Sequence, residues 1–584
     1  MYILGIHVGH NSTAALLKDG KIVGCVSEER FTRNKNESGF PFKSVEWLLK
    51  SNDINFQKID LVCVVNDALK FRKKKFSDKF LDDYVNKSFS KNLKSKIGYK
   101  FPRLFEAYND FKEKKRDEKQ RNNSEDLKRK ISKILKIDGE KIITLGHHLA
   151  HAYSPCLNLS RDEKTLIFTL DGEGSDGLCA SVNIYDGSNM KTISKTKKIA
   201  SLGYLYAITT IYLGMKPLEH EFKVMGIAPY SKSYSVDEIY PKFKNLLWVN
   251  NDLTFGSKFN MPFSDNFLKK EMRFSRFDNV SGAIQKLTEE LTLEWISKAT
   301  YKTGIHNISL SGGVFMNVKA AMRIAQLPEV EKIFVMPSAG DESNVIGACF
   351  YGYKIYCNEK NLVFDPKPIK DLYLGPEYDE FYIFEYIKKS NLEKRYKITK
   401  PKNINKKVSE LLAKGEVVAR CSGKSEWGAR ALGNRSILAN PKNKDTIRII
   451  NEKIKGRDFW MPFTPSILDK DIERYIKNPK KIFAPYMAIT FESKETAKED
   501  LVAAIHPYDF TVRPQVVLEK WNPDYYEIIE NFKKLTGIGG ILNTSFNLHG
   551  EPNVLTPEDA IHTVDNSGIN YLVLGNYLLE KKLK

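Results

Sequence analysis

Three histidines fall within five positions at "HHLAHAYS", residues 147–154, in a chain that has ten in all. On an α-helix, positions i and i+4 lie roughly 40° apart around the axis, so His147 and His151 project side by side. His148 and His151, at i and i+3, converge as well, and spacing alone does not choose between the pairs. Paired imidazoles suit a divalent metal, but they also suit a helix face whose rings cap carbonyls or pack in a core. Asp171 and Asp341 are the carboxylates that complete a candidate metal set. Two histidines with a carboxylate suit iron(II), or a similar divalent ion that keeps open positions.

Three glycine-rich turns suggest what could fill those positions. "DGEGSDG" at 171–177, "LSGGVFMN" at 310–317 and "SAGDES" at 338–343 each follow a strand-like run, and two of them open helical patterns. Main-chain N–H groups in such turns, and the positive end of the following helix, cradle phosphate oxygens. The candidates are Gly172, Gly312, Gly313, Asn317 and Gly340. A purely structural turn accounts for any single one; three in one domain point to a nucleotide site. A metal beside the phosphates would neutralise charge and orient the leaving group.

The elements that must hold these residues are legible as patterns. "YILGIHVG" reads as a strand, and "TAALLKDGKIVGCVSEE" as two short strands turning at Asp19-Gly20. The order returns in "TLIFTLDGEGSDGLCASVNIYDGSNMKTI", with a turn at Asp186-Gly187, which predicts a duplicated α/β fold. Helical stretches follow at "SLGYLYAITTIYLG" and "SGAIQKLTEELTLEWISKAT". Two strand–turn–helix units, "NISLSGGVFMNVKAAMRIAQ" and "KIFVMPSAGDESNVIGACFYGYKIY", close the first domain. Proline and charge in "FDPKPIKDLYLGPEY" mark a connection, giving expected domains of 1–365 and 366–584.

Bulk properties bound the class. At 584 residues the chain is too long for one hydrophobic core. No apolar run approaches the roughly 20 residues of a membrane span. The first residues lack the basic start and long apolar stretch of a secretion signal, so a cytoplasmic location is expected. Seven scattered cysteines with no CxxC pair argue against a disulfide framework or a thiolate zinc site. Of the formal net charge of +20, residues 70–136 carry +13, from 23 Lys and Arg against 10 Asp and Glu. That stretch reads as a helical insertion. It is either a solvated surface or a positive platform for a polyanion such as nucleic acid, since clustered lysines gain affinity by releasing condensed counterions.

Taken together, "ILGIHVGHNSTAALLKDGKIV", "EERFTRNKNESGFP", "GHHLAHAYS", "LDGEGSDG", "KVMGIAPYS", "LSGGVFMN" and "SAGDES" resemble the NodU/CmcH family of O-carbamoyltransferases. "KSEWGARALGNRSILANP", "KIKGRDFWMPFTPSIL" and "LNTSFNLHGEP" extend the resemblance over nearly the whole chain, the basic insertion apart. It implies an actin-like ATPase-type N-terminal domain and an α+β, YrdC-like C-terminal domain. In the latter, carbamoyl phosphate and ATP, with Mg2+, would yield carbamoyl adenylate. In the former, an acceptor hydroxyl would attack its carbonyl and AMP would leave. The resemblance further implies that His147, His151 and Asp341 hold iron, with Asp171 near metal and phosphates. It places His10 where a general base is needed and Lys35 in a stretch facing the acceptor. An imidazole suits the base because it titrates near neutrality.

For the second domain, the physical reading agrees with the resemblance. Both substrates are strongly anionic; guanidinium groups grip phosphate bidentately and lysine adds a point charge. Lys424, Arg430, Arg435, Lys455, Arg457 and Arg513 are the candidate clamps, with Ser436 and Asn543 beside them. Lys455 and Arg457 with the Ser545/Asn547 pair match the YrdC-like pattern. The sequence departs from the family at Ala429, where proline is usual, at Met461, where many relatives carry arginine, and at Asn11, where some carry an acid. The acceptor is expected to be a small metabolite or saccharide, or, given the basic insertion, a hydroxylated nucleic-acid base. A nucleic-acid-binding ATPase or assembly factor that kept the fold without the transfer chemistry is the alternative.

Overall fold

The computed structural model describes residues 1–65, 124–456 and 458–582. Its chain divides into two units: Met1–Glu28 with Asn36–Ile369, and Glu29–Lys35 with Lys370–Lys584.

In the first unit, the aliphatic runs expected as strands form two five-stranded sheets. The first sheet contains β1 (Tyr2–His7), β2 (Thr13–Lys18), β3 (Lys21–Ser27), β4 (Leu61–Val65) and β5 (Ile142–Leu145), in the order β3-β2-β1-β4-β5. β1, β2 and β3 are an antiparallel meander, whereas β4 and β5 add in parallel. The second sheet repeats this with β6 (Thr165–Leu170), β7 (Leu178–Tyr185) and β8 (Met190–Lys197) as the meander. After a small hairpin of β9 (Leu247–Val249) and β10 (Phe255–Ser257), the parallel strands β11 (Asn307–Ser311) and β12 (Lys332–Val335) complete the order β12-β11-β6-β7-β8. The duplicated α/β arrangement expected from the repeated hairpins is therefore present. β4 and β6 are buried throughout, as strands covered on both faces must be.

Local chemistry sets the turns. Asp19 and Gly20 both have positive φ, 48° and 80°, which is the two-residue hairpin turn whose twist matches its strands. At Gly187, φ is 96°, and an added Cβ would overlap the Arg161 carbonyl. The helix Asn344–Lys360 lies against both sheets: Gly352 meets Cys63 of β4, Gly5 of β1 meets Val345, and the Phe350 ring packs on Tyr185 of β7. A helix over 124–135 ends the basic stretch. It sets Leu127, Ile131 and Leu135 into the core of the first sheet, with Arg129, Lys130 and Lys133 on its exposed side. The greater part of that stretch, 70–123, lies outside the described residues.

The second unit is α+β. Its mixed eight-stranded sheet runs, in spatial order, Tyr396–Thr399, Tyr577–Lys581, Tyr571–Leu574, Val418–Cys421, Arg435–Ala439, Gly540–Ser545, Thr464–Leu468 and Gln515–Val517. Five of the seven pairings are antiparallel. The helices Ile404–Ala413 and Pro523–Thr536 pack on one another, joined by a hydrogen bond from Ser409 Oγ to the Ile528 carbonyl at 2.8 Å. All seven cysteines are buried free thiols. Among the described residues, no helix is long and apolar enough to cross a membrane.

One glycine in the first unit sets how closely two helices pack. Gly347 lets the helix Asn344–Lys360 approach the helix His147–Tyr153 so closely that a Cβ would overlap the Ala150 carbonyl. Alanine would gain about 1 kcal/mol of intrinsic helix propensity. A backbone carbonyl cannot swing aside, however, and overpacking costs about 1–3 kcal/mol. Gly347→Ala is therefore expected to lower the urea midpoint of the first unit; an unchanged or raised midpoint would contradict this packing.

Candidate functional site

The helix His147–Tyr153 starts directly after β5, with Gly146 as its N-cap. Its i, i+4 pair brings His147 Nε2 and His151 Nε2 to 3.1 Å from each other. Asp171 follows the end of β6, and Asp341 stands in the turn after β12. Ligands of α/β sheets bind outside the carboxyl ends of strands, and all four side chains come from such ends. His151 Nε2 lies 3.3 Å from Asp171 Oδ2 and 3.5 Å from Asp341 Oδ1; His147 Nε2 lies 3.4 Å from Asp341 Oδ1 and 3.9 Å from Asp171 Oδ2. One donor atom from each residue falls within 4.8 Å of all the others. A cation with ligands at about 2.1 Å holds neighbouring donors about 3.0–3.4 Å apart, so this set fits one divalent ion.

Electrostatics separates the three histidines. Burial lowers the pKa of His147, but Asp341 and Asp171 outweigh burial and raise it well above the usual value. His151 is likewise raised, by the same carboxylates against its burial. Burial would push both acids up; contacts with the imidazoles instead hold Asp171 and Asp341 far below the usual carboxylate range. His148 differs. Its Nδ1 lies 2.8 Å from Thr169 Oγ1, and burial drives its pKa down to about 4. The choice that spacing left open thus falls on His147 and His151, with His148 a core imidazole tied to β6.

A second layer orients the cluster. Asp341 Oδ2, the oxygen turned away from the pair, lies 3.2 Å from His10 Nδ1 and 3.5 Å from His7 Nε2. His7 Nε2 is also 3.1 Å from the His10 carbonyl, and burial lowers the His7 pKa. His7 was not singled out by sequence reasoning. The available signal was an imidazole closing the otherwise aliphatic β1, beside the His10 loop. Ser311 and Ser343 Oγ each lie 3.4 Å from His151 Nδ1, so the His151 ring is held from behind.

The glycine turns act on the same cluster. The amide of Gly172 donates to Asp171 Oδ1 at 2.6 Å and that of Gly313 to Asp171 Oδ2 at 2.9 Å. These two amides, expected to face phosphate, serve a carboxylate of the chain. Gly312, with φ of 102°, permits the turn because a Cβ would overlap the Leu170 carbonyl. Asn317 caps the helix Val318–Ala325 through the Ala320 amide and exchanges hydrogen bonds with Gln285. Gly340 precedes the turn that carries Asp341.

In the second unit, Ser545 Oγ donates to Asn547 Oδ1 at 2.7 Å, and Asn547 Nδ2 donates to the Glu551 carbonyl at 2.7 Å. Arg435 is 1 % exposed, and its guanidinium donates to the carbonyls of Leu555, Ser422, Gly423, Asn434 and Pro376. It fastens these loops through their main chain. Asn543, also buried, donates to the Ala431 carbonyl, Ser466 and Gln515. Ser436 Oγ accepts from the Gly433 amide. Glu426, absent from the sequence-based candidates, organises the same loop: its Oε1 accepts from the amides of Leu432, Asn434 and Arg435. Lys424 is exposed, and Arg430 and Arg513 are partly so. Lys35 falls in the segment Glu29–Lys35, which belongs to this second unit. The side chain of Lys455 and all of Arg457 lie outside the described residues.

Comparison with known families settles the class. The N-terminal domain of carbamoyltransferases matches residues 2–350 and their C-terminal domain matches 409–581. The chain belongs to the carbamoyltransferase family. An uncharacterized protein of Methanocaldococcus jannaschii is 32% identical over 99% of this chain and 99% of its own length. The nodulation protein NolNO of Sinorhizobium fredii is 28% identical over 98% of this chain and 79% of its own. The 3'-hydroxymethylcephem-O-carbamoyltransferase of Amycolatopsis lactamdurans is 24% identical over 75% of this chain and 80% of its own. This carbamoyltransferase accordingly carries both halves of the family.

The cluster geometry predicts the outcome of metal titration. Wild type should bind one divalent ion per chain, read by elemental analysis after gel filtration. His151→Ala should lose it, because an imidazole nitrogen cannot be replaced by water without loss of charge donation and orientation. His148→Ala should retain it. Equal metal content in the two variants would contradict the assignment.

Proposed function

We propose that this carbamoyltransferase is an ATP-dependent O-carbamoyltransferase, and that the cluster of His147, His151, Asp171 and Asp341 with the adjacent His10 is where the carbamoyl group reaches an acceptor hydroxyl. The observation that carries the reading is the contact of His10 Nδ1 with Asp341 Oδ2 at 3.2 Å, beside four convergent metal donors. A carboxylate that accepts from Nδ1–H leaves Nε2 as the basic nitrogen, which is the orientation a general base requires. His10 keeps 24% of its side-chain surface exposed, while the metal-donor histidines are closed off, so it is the imidazole an acceptor can meet. When bound, a divalent ion such as iron(II) supplies Lewis-acid polarisation and neutralises phosphate charge.

The second unit is read as the YrdC-like adenylate-forming domain. There, with Mg2+, water cleaves carbamoyl phosphate to carbamate and phosphate, and the carbamate oxygen attacks the α-phosphorus of ATP and expels pyrophosphate. Lys424, Arg430, Arg513, Ser545 and Asn547 are the anion contacts, together with Lys455 and Arg457. On the first unit, the acceptor hydroxyl gives its proton to His10 and attacks the carbamoyl carbon, and AMP leaves. The relative whose name specifies a hydroxymethyl acceptor supports a small hydroxylated molecule as substrate. The net +13 of residues 70–136 supports the second reading, a hydroxylated base in nucleic acid.

Two measurements on one variant test the mechanism. His10→Ala should release pyrophosphate from ATP in a carbamoyl phosphate-dependent manner at the wild-type rate. Transfer to an acceptor, followed by mass spectrometry, should fall about 10²–10⁴-fold, the usual worth of a positioned base. Undiminished transfer would remove His10 from the mechanism. Wild type that releases no pyrophosphate would favour a binding protein of the same fold.

A further inference from the structure

Residues 29–35 lie early in the sequence, inside the run that builds the first sheet, yet they belong to the second unit. Two arginines account for this. Arg30, buried, donates through Nη2 to the Gly428 carbonyl at 2.8 Å. Arg33 donates through Nη1 to the Asn553 carbonyl at 2.7 Å and through Nη2 to the Pro552 carbonyl at 2.8 Å. Its guanidinium also lies 3.5 Å from Glu551 Oε2 and 3.5 Å from Asp559 Oδ1. Asp559 in turn completes the capping box that starts the helix Pro557–Asp565.

The carbonyls gripped in this way sit in the two loops that carry the candidate anion contacts. Gly428 stands in the loop that joins Val418–Cys421 to Arg435–Ala439 and contains Lys424 and Arg430. Residues 551–553 close the loop that begins with Ser545 and Asn547, and Asn547 Nδ2 is itself anchored on the Glu551 carbonyl. The loops are cross-tied once more by Asn553 Nδ2, which donates to the Arg435 carbonyl at 3.0 Å. Irregular loops leave carbonyls without ladder partners, and a guanidinium with five donors in a fixed fork can satisfy several at once. Arg33 holds a φ of 60°, a left-handed conformation that a side-chain-bearing residue adopts at a cost.

We propose that Glu29–Lys35 is a strap that sets the two anion loops of the second unit at their working separation, with Arg30 and Arg33 as positioning residues for adenylate formation. The inference rests on the reading of that unit as the adenylate-forming domain. Neither arginine need touch a substrate; each fixes a loop through its main chain. Loosening the loops weakens substrate capture more than it slows the chemical step. The strap therefore acts on KM.

The test uses the full-length chain and carbamoyl phosphate-dependent exchange of pyrophosphate into ATP. Arg33→Ala and Arg30→Ala should each raise KM for ATP or carbamoyl phosphate by about tenfold, the loss expected for charge-assisted hydrogen bonds, with a smaller change in kcat. Arg33→Lys, which keeps the charge and loses the fork, should recover only part of the loss and also guards against an alanine variant that fails to fold. Metal content of the first unit should stay at the wild-type level in all three. Wild-type KM in a folded Arg33→Ala and Arg33→Lys pair would overturn the strap while leaving the adenylate reading intact. Absence of exchange in wild type itself would overturn that reading and the strap with it.

Discussion

Four ionisable groups in the first unit can be buried together only because each compensates another. Alone, burial would strip the charge from Asp171, Asp341, His147 and His151, since desolvation disfavours every ionised form. Brought within a few ångströms, two carboxylates would repel, and two Nε2 atoms at 3.1 Å could not both stay unprotonated without a positive partner. Alternating the imidazoles with the carboxylates removes both conflicts, raising the histidines and depressing the acids. A divalent ion would meet the same electrostatic demand as the protons, in keeping with the cluster as the proposed metal set.

The surrounding fold is organised to hold that balance. Duplication of a meander with two parallel additions puts the carboxyl ends of β1, β5, β6 and β12 at one cluster. Glycines do the close work: Gly347 brings two helices together, and Gly312 bends the turn whose neighbour, Gly313, donates to Asp171. The outer oxygen of Asp341 then binds the pair His7 and His10, so the carboxylate that faces the donor set also orients the proposed base. The proposed metal set and the proposed base share Asp341, which contacts His147 and His151 through one oxygen and His7 and His10 through the other.

Much of this was legible in the sequence because it depends on local patterns. The Asp19-Gly20 turn, the repeated hairpin and the strand–glycine–helix units follow from residue type and period alone. Other features depend on partners far along the chain and left no local trace. Choosing His147 over His148 required Thr169 on β6 to claim the His148 ring. Arg435 sits in a basic, glycine-rich loop like a clamp, but its burial against five carbonyls is set by residues as distant as Leu555. The glycine-rich turns give the amides of Gly172 and Gly313 the pattern of phosphate donors, but both donate to Asp171, a partner the local pattern does not show. Membership of 29–35 in the second unit was invisible for the same reason, since its partners lie some four to five hundred residues away.

The most direct test removes the compensated cluster while sparing the second unit. A chain with both His147 and His151 replaced by alanine should still release pyrophosphate in the second unit, and should give no carbamoylated acceptor by mass spectrometry. Carbamoylated acceptor produced at the wild-type rate by that folded double variant would contradict the account.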